Sequence, residues 1–494
     1  MAKDELRIQY SGLIIFGSQL VSVATGMAFI LLLTRNMTTP EYGVWSNIFD
    51  LTGYFLLFAG FVPFWAMRFV ARRNEGAAET AVLANLIVAL ALAAVYIPLV
   101  PLVTAGLHIS GSYVPVYLLA SAQMITVYVI SALESCLRAE KPQVIGYGLL
   151  LEEACKLVLA AVLIVGLHQL FLGAMLSLIL SALLQALYYV RLLSRRFGRG
   201  IRWDYVREWL KGSVAILYNS VGSQLAAFVF ILLLVYGGQE ARADYQAATT
   251  FAAVIGYSLS LAFALYPKLL AEESMREVTT SLRTVLMFAF PLAAIVISTS
   301  QSLLTVLNVS YRSASTVLIL LVVDALIVLL SQFYTYVLYG VERLDKEARI
   351  PLRRLVRSRM FKVLSLPYVQ AAVALPATFI VLSVFAIGHA VQAAVYVAII
   401  SIIAHAVTFG LTFLVMHRSV RIVVPWRSVA KYLAVSAVVG IILYVLPHSA
   451  TLALTFAAVV GGAVLYAVLL LVADEDARTL VRLILKELGM SSDG

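Results

Sequence analysis

The residues with the most chemical potential in this sequence are ionisable groups set inside apolar text. The stretch LEEACKLVLAAVLIVG (151–166) holds Glu152, Glu153 and Lys156, and no further charge follows until Arg191. On a helix Glu152 and Lys156 are i,i+4 with the acid first, so they share a face and can pair. Glu153, i,i+3 from the lysine, lies about 100° round from Glu152 and can reach the same ammonium. One ammonium cannot neutralise two carboxylates, so one acid is protonated or matched from another helix. That is the chemistry of a proton- or cation-coupling site, and equally of an ion pair that locks helix packing. Asp50 and Asp324 also sit inside apolar runs, with no basic residue one turn away on their own helix. Each is protonated, faces a polar cavity or hydrogen-bonds across helices. Glu152, Glu153, Asp50 and Asp324 are thus the ion-coupling candidates, with H+ or Na+ as the ion. No other cofactor and no metal is expected: the six histidines (108, 168, 389, 405, 417 and 448) never fall at i,i+3 or i,i+4. His405 reads as a hydrogen-bonded core residue. No G-x-x-x-x-G-K-[ST] occurs, which excludes nucleotide hydrolysis by a P-loop.

Such groups must be carried by elements that cross a medium without water. Of 494 residues, 62% are hydrophobic and 13% charged, about half the ~25% charge usual in soluble domains. The mean hydropathy is +0.96. A soluble globule cannot hide that much apolar surface. Apolar runs between charge and turn breaks give fourteen spans: 10–34, 42–64, 78–101, 113–137, 144–167, 170–190, 213–236, 245–267, 284–307, 314–340, 363–388, 391–416, 429–447 and 451–473. Each is near the roughly 20 residues that a bilayer core requires.

Lysine and arginine set the orientation. The side holding the termini carries 32 of the 36, the opposite side holds only Arg35, Arg242 and Arg312, and Lys156 lies within a span. The expectation is a multi-pass protein of the cell membrane with both termini cytoplasmic. The net charge of +10 is therefore a signal of topology and not of nucleic acid. Cys136 and Cys155 fall in apolar runs and read as small core residues. The start, MAKDELRIQYSG, leads into a retained span without an A-x-A cleavage pattern. The end, 474–494, places Leu480, Val481, Ile484, Leu485 and Leu488 at helical spacing, as in an amphipathic helix on the inner surface.

The text GSQL occurs at 17–20 and again at 222–225, early in spans 1 and 7. Tyr42 and Gly53-Tyr54 follow the first copy, Tyr245 and Gly256-Tyr257 the second, with Pro63 and Pro267 closing the two second helices. Six spans per copy is an even number, so the copies have parallel topology. The expected architecture is an all-α integral membrane protein of 14 transmembrane helices, two six-helix lobes in parallel repeat (6+6) plus two C-terminal helices. Its parts are an N-terminal lobe 1–193, a basic cytoplasmic linker 194–212, a C-terminal lobe 213–417, two further spans in 418–473 and the tail 474–494. Two facing lobes of this kind make an alternating-access transporter.

Several stretches resemble a known group. LLLTRNMTTPEYGVWSNIFD (31–50), ESCLRAEKPQVIGYG (134–148), ADYQAATTF…LYPKLLAE (243–272) and YVLYGVERLD (336–345) look like the polysaccharide-transporter branch, with its Wzx-type oligosaccharide flippases, of the multidrug/oligosaccharidyl-lipid/polysaccharide exporter superfamily. The resemblance runs from about residue 10 to 480. It implies a non-enzymatic flippase that moves a lipid-linked oligosaccharide of the polyprenyl-diphosphate type from the cytoplasmic to the outer leaflet. Membrane lipids would be its other partners, glycan-assembly enzymes its neighbours, and a monomer its working form.

A diphosphate head group calls for arginine or lysine in its path. The candidates are Arg35 at the outer end of span 1, Lys156 at mid-depth, and Arg68 and Lys268 at the inner ends of the equivalent helices 2 and 8. End residues of this kind equally serve as anchors or snorkel. Gln19 and Gln224, equivalent in the repeat, are candidates to line the cavity, and Tyr218, Tyr257, Tyr334 and Tyr336 could stack on sugars. Two rivals stay open: an ion-coupled drug or metabolite antiporter of the same fold, which the in-span acids favour, and a membrane-embedded glycosyltransferase or polymerase. The last would need a sizeable acidic outer loop, and the outer loops hold only Glu41, Glu240 and Asp244. Orientation is directly testable. With Cys136 and Cys155 replaced by alanine, an Arg312→Cys variant should react with a membrane-impermeant maleimide on intact cells. An Arg202→Cys variant should react only after permeabilisation, and the reverse pattern would invert the topology.

Overall fold

A computed structural model describes residues 2–194, 197–198, 200–262, 275–341, 359–385, 388–417, 424–446, 451–475 and 477–478. All regular structure among these residues is helical. Lys268 and the apolar residues of the tail beyond 478 lie outside the described residues. The chain forms two compact units, one built from residues up to Ala243 and one from Asp244 onwards.

The first unit contains α1 (Ala2–Asn36), α2 (Thr39–Phe55), α3 (Phe61–Ala71), α4 (Ala77–Gly106), α5 (Val114–Glu140), α6 (Gln143–Ala160), α7 (Leu170–Leu193), α8 (Trp203–Gly212), α9 (Val214–Ala227), α10 (Val229–Leu232) and the first turn of α11 (Gly238–Ala252). α1 packs on α6, α6 on α7, and α5 on α3, α4 and α7. The motif around residues 38–43 shows why α2 starts where it does. Thr38 donates its amide and hydroxyl to one Glu41 carboxylate oxygen, at 2.8 and 2.9 Å, and Pro40 supplies a φ already suited to the first turn. Tyr42 is buried. Gly43 is required because the backbone carbonyl of Gln239 occupies the space a Cβ would fill. The basic linker docks through α8: Trp209 is fully buried, with its ring 5.5 Å edge-on from Phe69. Just beyond α8, Ser213 accepts from Trp65 Nε1 at 2.8 Å.

The second unit contains the rest of α11, a 3-10 segment Ala253–Ala262, α12 (Met275–Ser298), α13 (Ser300–Leu307), α14 (Ser315–Val341), α15 (Arg359–Leu364), α16 (Leu366–Phe385), α17 (Ala390–His417), α18 (Trp426–Val445) and α19 (Leu452–Ala473). α14 packs on α17 and α17 on α16. The two last helices lie on α12, where Tyr466 donates its hydroxyl to the Met287 carbonyl at 2.8 Å. Both copies of the sequence repeat leave α geometry at the Gly-Tyr pair. α2 ends one residue after Gly53-Tyr54, and Gly256-Tyr257 falls inside the 3-10 segment that follows α11.

The surface identifies the solvent. Large apolar side chains point outward, up to 70% exposed at Leu102 and 78% at Val445, while Glu153, Lys156, Arg242 and Asp324 are buried. That inversion is stable only where hydrocarbon surrounds the helices, so this is a multi-pass membrane protein. Eleven helices among the described residues are long and apolar enough to cross a bilayer. They differ from the fourteen expected spans for physical reasons. The span read at 42–64 is two short helices broken at residues 56–60. The span read at 144–167 carries three charges. The two read at 213–236 and 245–267 run together as Val214–Leu259. Arg242, expected in an outer loop, is inside a helix.

The tight contact at Gly43 gives a stability test. Gly43→Ala drives a methyl into the Gln239 carbonyl and should cost about 1–3 kcal/mol, read as a lowered unfolding midpoint in detergent. Gly60→Ala, where a Cβ meets nothing within 4 Å, should leave that midpoint unchanged.

Candidate functional site

Three ionic clusters stand within the apolar helices, and each draws its members from different helices. In the first, Lys156 Nζ lies 2.6 Å from Glu153 Oε2. Ser22 donates to Glu153 Oε1 at 2.7 Å and Thr25 to Oε2 at 2.5 Å. These hydroxyls are i,i+3 on α1, so the α1–α6 packing delivers both to one carboxylate. The ammonium also sits 5.9 Å over the Phe29 ring. The sequence pattern left both Glu152 and Glu153 able to reach the lysine. The structure pairs it with Glu153; Glu152 is half-buried and forms no ion pair among the described residues. The hydroxyls of α1 favour Glu153, because a buried carboxylate is stable where donors converge on it. Directly after this cluster the helix widens into a π turn, Ala161–Gly166.

The second cluster joins α2 to α11. Arg242 donates Nε to Asp50 Oδ2 at 2.6 Å and Nη2 to Oδ1 at 2.8 Å. The guanidinium, in a residue 3% exposed, lies 4.9 Å over the Phe230 ring. Of the readings open for Asp50, hydrogen bonding across helices is the one seen: it accepts a fork of two bonds from Arg242. Arg242 reaches it because a π turn, Leu233–Gly237, and Gly238 at φ +84° turn the chain back into α11. Gln224 on α9 lies against Gly53 of α2, half-buried; a Cβ at residue 53 would come within 2.9 Å of its Nε2. Gln19, its counterpart in the repeat, is exposed.

The third cluster belongs to the second unit and links α14, α17 and α16. Asp324 Oδ1 is 2.7 Å from His405 Nδ1, and His405 Nε2 is 2.8 Å from Gln370 Nε2. The amide nitrogen can only donate, so Nε2 accepts and Nδ1 carries the proton that Asp324 receives. His405, read as a hydrogen-bonded core residue, is hydrogen-bonded through both ring nitrogens. Tyr334, one of the tyrosines read as a sugar contact, is buried among Phe409 and Phe413 at 5.9 and 5.8 Å. Tyr257 is exposed, and Tyr218 and Tyr336 are half-buried.

The remaining cationic candidates are dispersed. Arg35 is exposed at the end of α1. Arg68 stacks 3.8 Å over Phe64 and donates to the Phe64 carbonyl at 3.2 Å. Arg242, Ser22, Thr25 and Gln370 were missed by the sequence reading. Ser22 and Thr25 carried a helical spacing that could have flagged them. Arg242 carried no such signal, since the run GGQEARADY reads as a loop.

The arrangement of helices is similar to that of solved structures of MOP superfamily transporters. No protein-family model and no curated protein matches the chain. Among solved structures, a lipid II flippase, MurJ, in an inward closed conformation superimposes with a TM-score of 0.71 at 12% identity, covering 95% of this chain and 100% of that one. A multidrug resistance MATE family transporter in its inward-facing conformation gives 0.60 at 13%, covering 80% and 94%. A MOP superfamily transporter from Pyrococcus furiosus, with a binding pocket of reverse polarity, gives 0.51 at 14%, covering 83% and 95%. At these identities the likeness is one of fold.

The first cluster predicts a strong non-additivity. Lys156→Met strands a buried carboxylate and should destabilise by roughly 3–5 kcal/mol, whereas Glu153→Gln/Lys156→Met should return most of the loss. Thermal unfolding of the purified variants measures both, and simple additivity would remove the pair's assigned role.

Proposed function

We propose that this protein is a secondary-transport flippase. It moves a lipid-linked oligosaccharide of the polyprenyl-diphosphate class from the cytoplasmic to the outer leaflet by alternating access. The observation that carries the reading is coverage. A lipid flippase accounts for 95% of this chain and is itself matched over its full length, whereas the MATE transporter accounts for 80%. The fourteen-span, 6+6+2 reading of the sequence belongs to the same proposal, as do a monomeric working form, both termini on the cytoplasmic side and glycan-assembly enzymes as neighbours. Arg35, Arg68, Lys156 and Lys268 are the cations proposed along the path of the head group, with Gln19 and Gln224 as polar lining.

Energy comes from an ion gradient in this reading. Asp324 and His405 are the coupling pair that the geometry favours, because one proton added at Nε2 changes the charge of a site tied to three helices. Glu153 is a poorer coupling group: three donors already satisfy it. The antiporter reading keeps a specific observation in its favour, since MATE transporters share the fold.

The test is reconstitution. Proteoliposomes loaded with a fluorescent polyprenyl-diphosphate oligosaccharide should show sugar appearing at the opposite face, faster with an imposed pH gradient. Asp324→Asn and His405→Gln should lose the gradient dependence and keep the ungated rate. Movement of small organic cations with no movement of any lipid-linked sugar would transfer the case to the antiporter.

A further inference from the structure

The linker helix α8 carries sides that the core of the first unit does not use. Its 10 residues, Trp203–Gly212, present four kinds of side chain in four separate stripes. At about 100° per residue, Tyr205, Val206 and Trp209 share the inner stripe and pack into the core that holds Phe69 and Ala77. Trp203 and Leu210 follow on one flank, seven residues apart and so nearly in line. Both are large, apolar and more than half exposed, at 53% and 54%. Arg207 and Lys211, i,i+4, form the next stripe, and Asp204 and Glu208, also i,i+4, the one after. All four charged residues are exposed. Round the helix the order is therefore core, apolar, basic, acidic.

The depth of α8 is fixed at both ends. At its start the Arg202 amide donates to Thr80 Oγ1 at 2.9 Å, one turn into the apolar helix α4. Just past its end, Ser213 accepts from Trp65 Nε1, nearly two turns before α3 stops at Ala71. A helix of 10 residues is about 15 Å long, so standing upright it would carry one end clear of α3 and α4. With both ends on the last turns of apolar helices, α8 lies along the membrane boundary, on the side where the lysine and arginine distribution puts the termini. The exposed apolar flank does not stop with α8. Val214, exposed in its turn, opens α9 and with it the spanning stretch Val214–Leu259.

We propose that α8 is an interfacial helix whose outer side binds the anionic lipid surface of the inner leaflet. Trp203 and Leu210 lie among the glycerol and upper acyl groups, and Arg207 and Lys211 meet the lipid phosphates. The order of the stripes matches the order of the medium. Acyl chain, phosphate and water follow one another out of a bilayer, as apolar, basic and acidic residues follow one another round the helix. Asp204 and Glu208 stand farthest round from the apolar flank, so they face water and bring no negative charge against the phosphates. Tryptophan suits such a boundary because its ring is apolar and its N–H is not. A basic stripe beside an apolar flank complements both parts of an anionic lipid at once. The assignment is independent of what the protein carries.

An environment-sensitive dye tests it in the full chain in lipid nanodiscs. With Cys136 and Cys155 replaced by alanine, nitrobenzoxadiazole is attached at Leu210→Cys or, as the water-facing control, at Glu208→Cys. The dye at 210 should emit at shorter wavelength and be quenched by lipids carrying a doxyl group near the glycerol, and the dye at 208 should do neither. Adding phosphatidylglycerol to phosphatidylcholine nanodiscs should deepen the quenching at 210. High salt, or Arg207→Gln/Lys211→Gln, should remove that gain. The double variant alters only exposed side chains, so its unfolding midpoint should match that of the wild type. A second measurement needs no cysteine replacement: the emission that Trp203→Phe removes from the wild type should be quenched by the same lipids. Water-like emission at 210, or quenching there that ignores lipid charge, overturns the proposal. A dye at 210 that is shielded in native membranes but not in nanodiscs also overturns it, and gives this side of α8 to a protein partner.

Discussion

The constraint on which this structure depends is that a charge inside a bilayer has no water to fall back on. Every ionised group within the helices must be neutralised and hydrogen-bonded by protein. Partners one turn away on the same helix meet only part of that need, so the charges dictate which helices stay together. Glu153 ties α1 to α6 through Ser22 and Thr25. Asp50 and Arg242 tie α2 to α11. Asp324, His405 and Gln370 tie α14, α17 and α16. Outward-facing apolar side chains contribute little to choosing partners, because lipid tails are as apolar as leucine.

The three clusters differ in how easily they can change. Glu153 has an ammonium and two hydroxyls, and any departure of Lys156 strands a carboxylate; this cluster is a lock. At His405 the imidazole bridges Asp324 and Gln370 through its two ring nitrogens. Between Asp50 and Arg242 two bonds form a fork, held by side chains from two helices.

Much of this was legible in the sequence, and the rest was hidden for identifiable reasons. Composition and the distribution of lysine and arginine suffice for a multi-pass helical protein, because the bilayer penalises charge so heavily that apolar runs stand out. Span 42–64 misled because apolar text does not reveal a break: Leu56 to Gly60 are compatible with a helix, and only the structure shows the turn. The pairing of Lys156 stayed open for a different reason. Spacing ranks Glu152 and Glu153 alike to within one residue, and the choice is made by α1, some 130 residues away. Arg242 was invisible because a polar run between two spans reads as a loop, whatever it packs against.

The helix end after Phe55 and the 3-10 segment after α11 answer to the same constraint. A helix end inside a membrane frees backbone groups that must find other partners, so a break is retained only where something is gained. After Phe55 the chain meets that demand locally, with the Leu56 amide donating to the carbonyls of Thr52 and Gly53. In the other copy a 3-10 segment from Ala253 to Ala262 does so with tighter turns, a geometry that rarely runs this long and often marks a hinge. After α2 the break falls just over one turn beyond Asp50, directly after Phe55. α2 is therefore short, anchored at its start by the Thr38–Glu41 cap and at Gly43 by the Gln239 carbonyl. Asp50 thus sits on a helix whose position is fixed by its own first turns and by Arg242, not by continuity with α3.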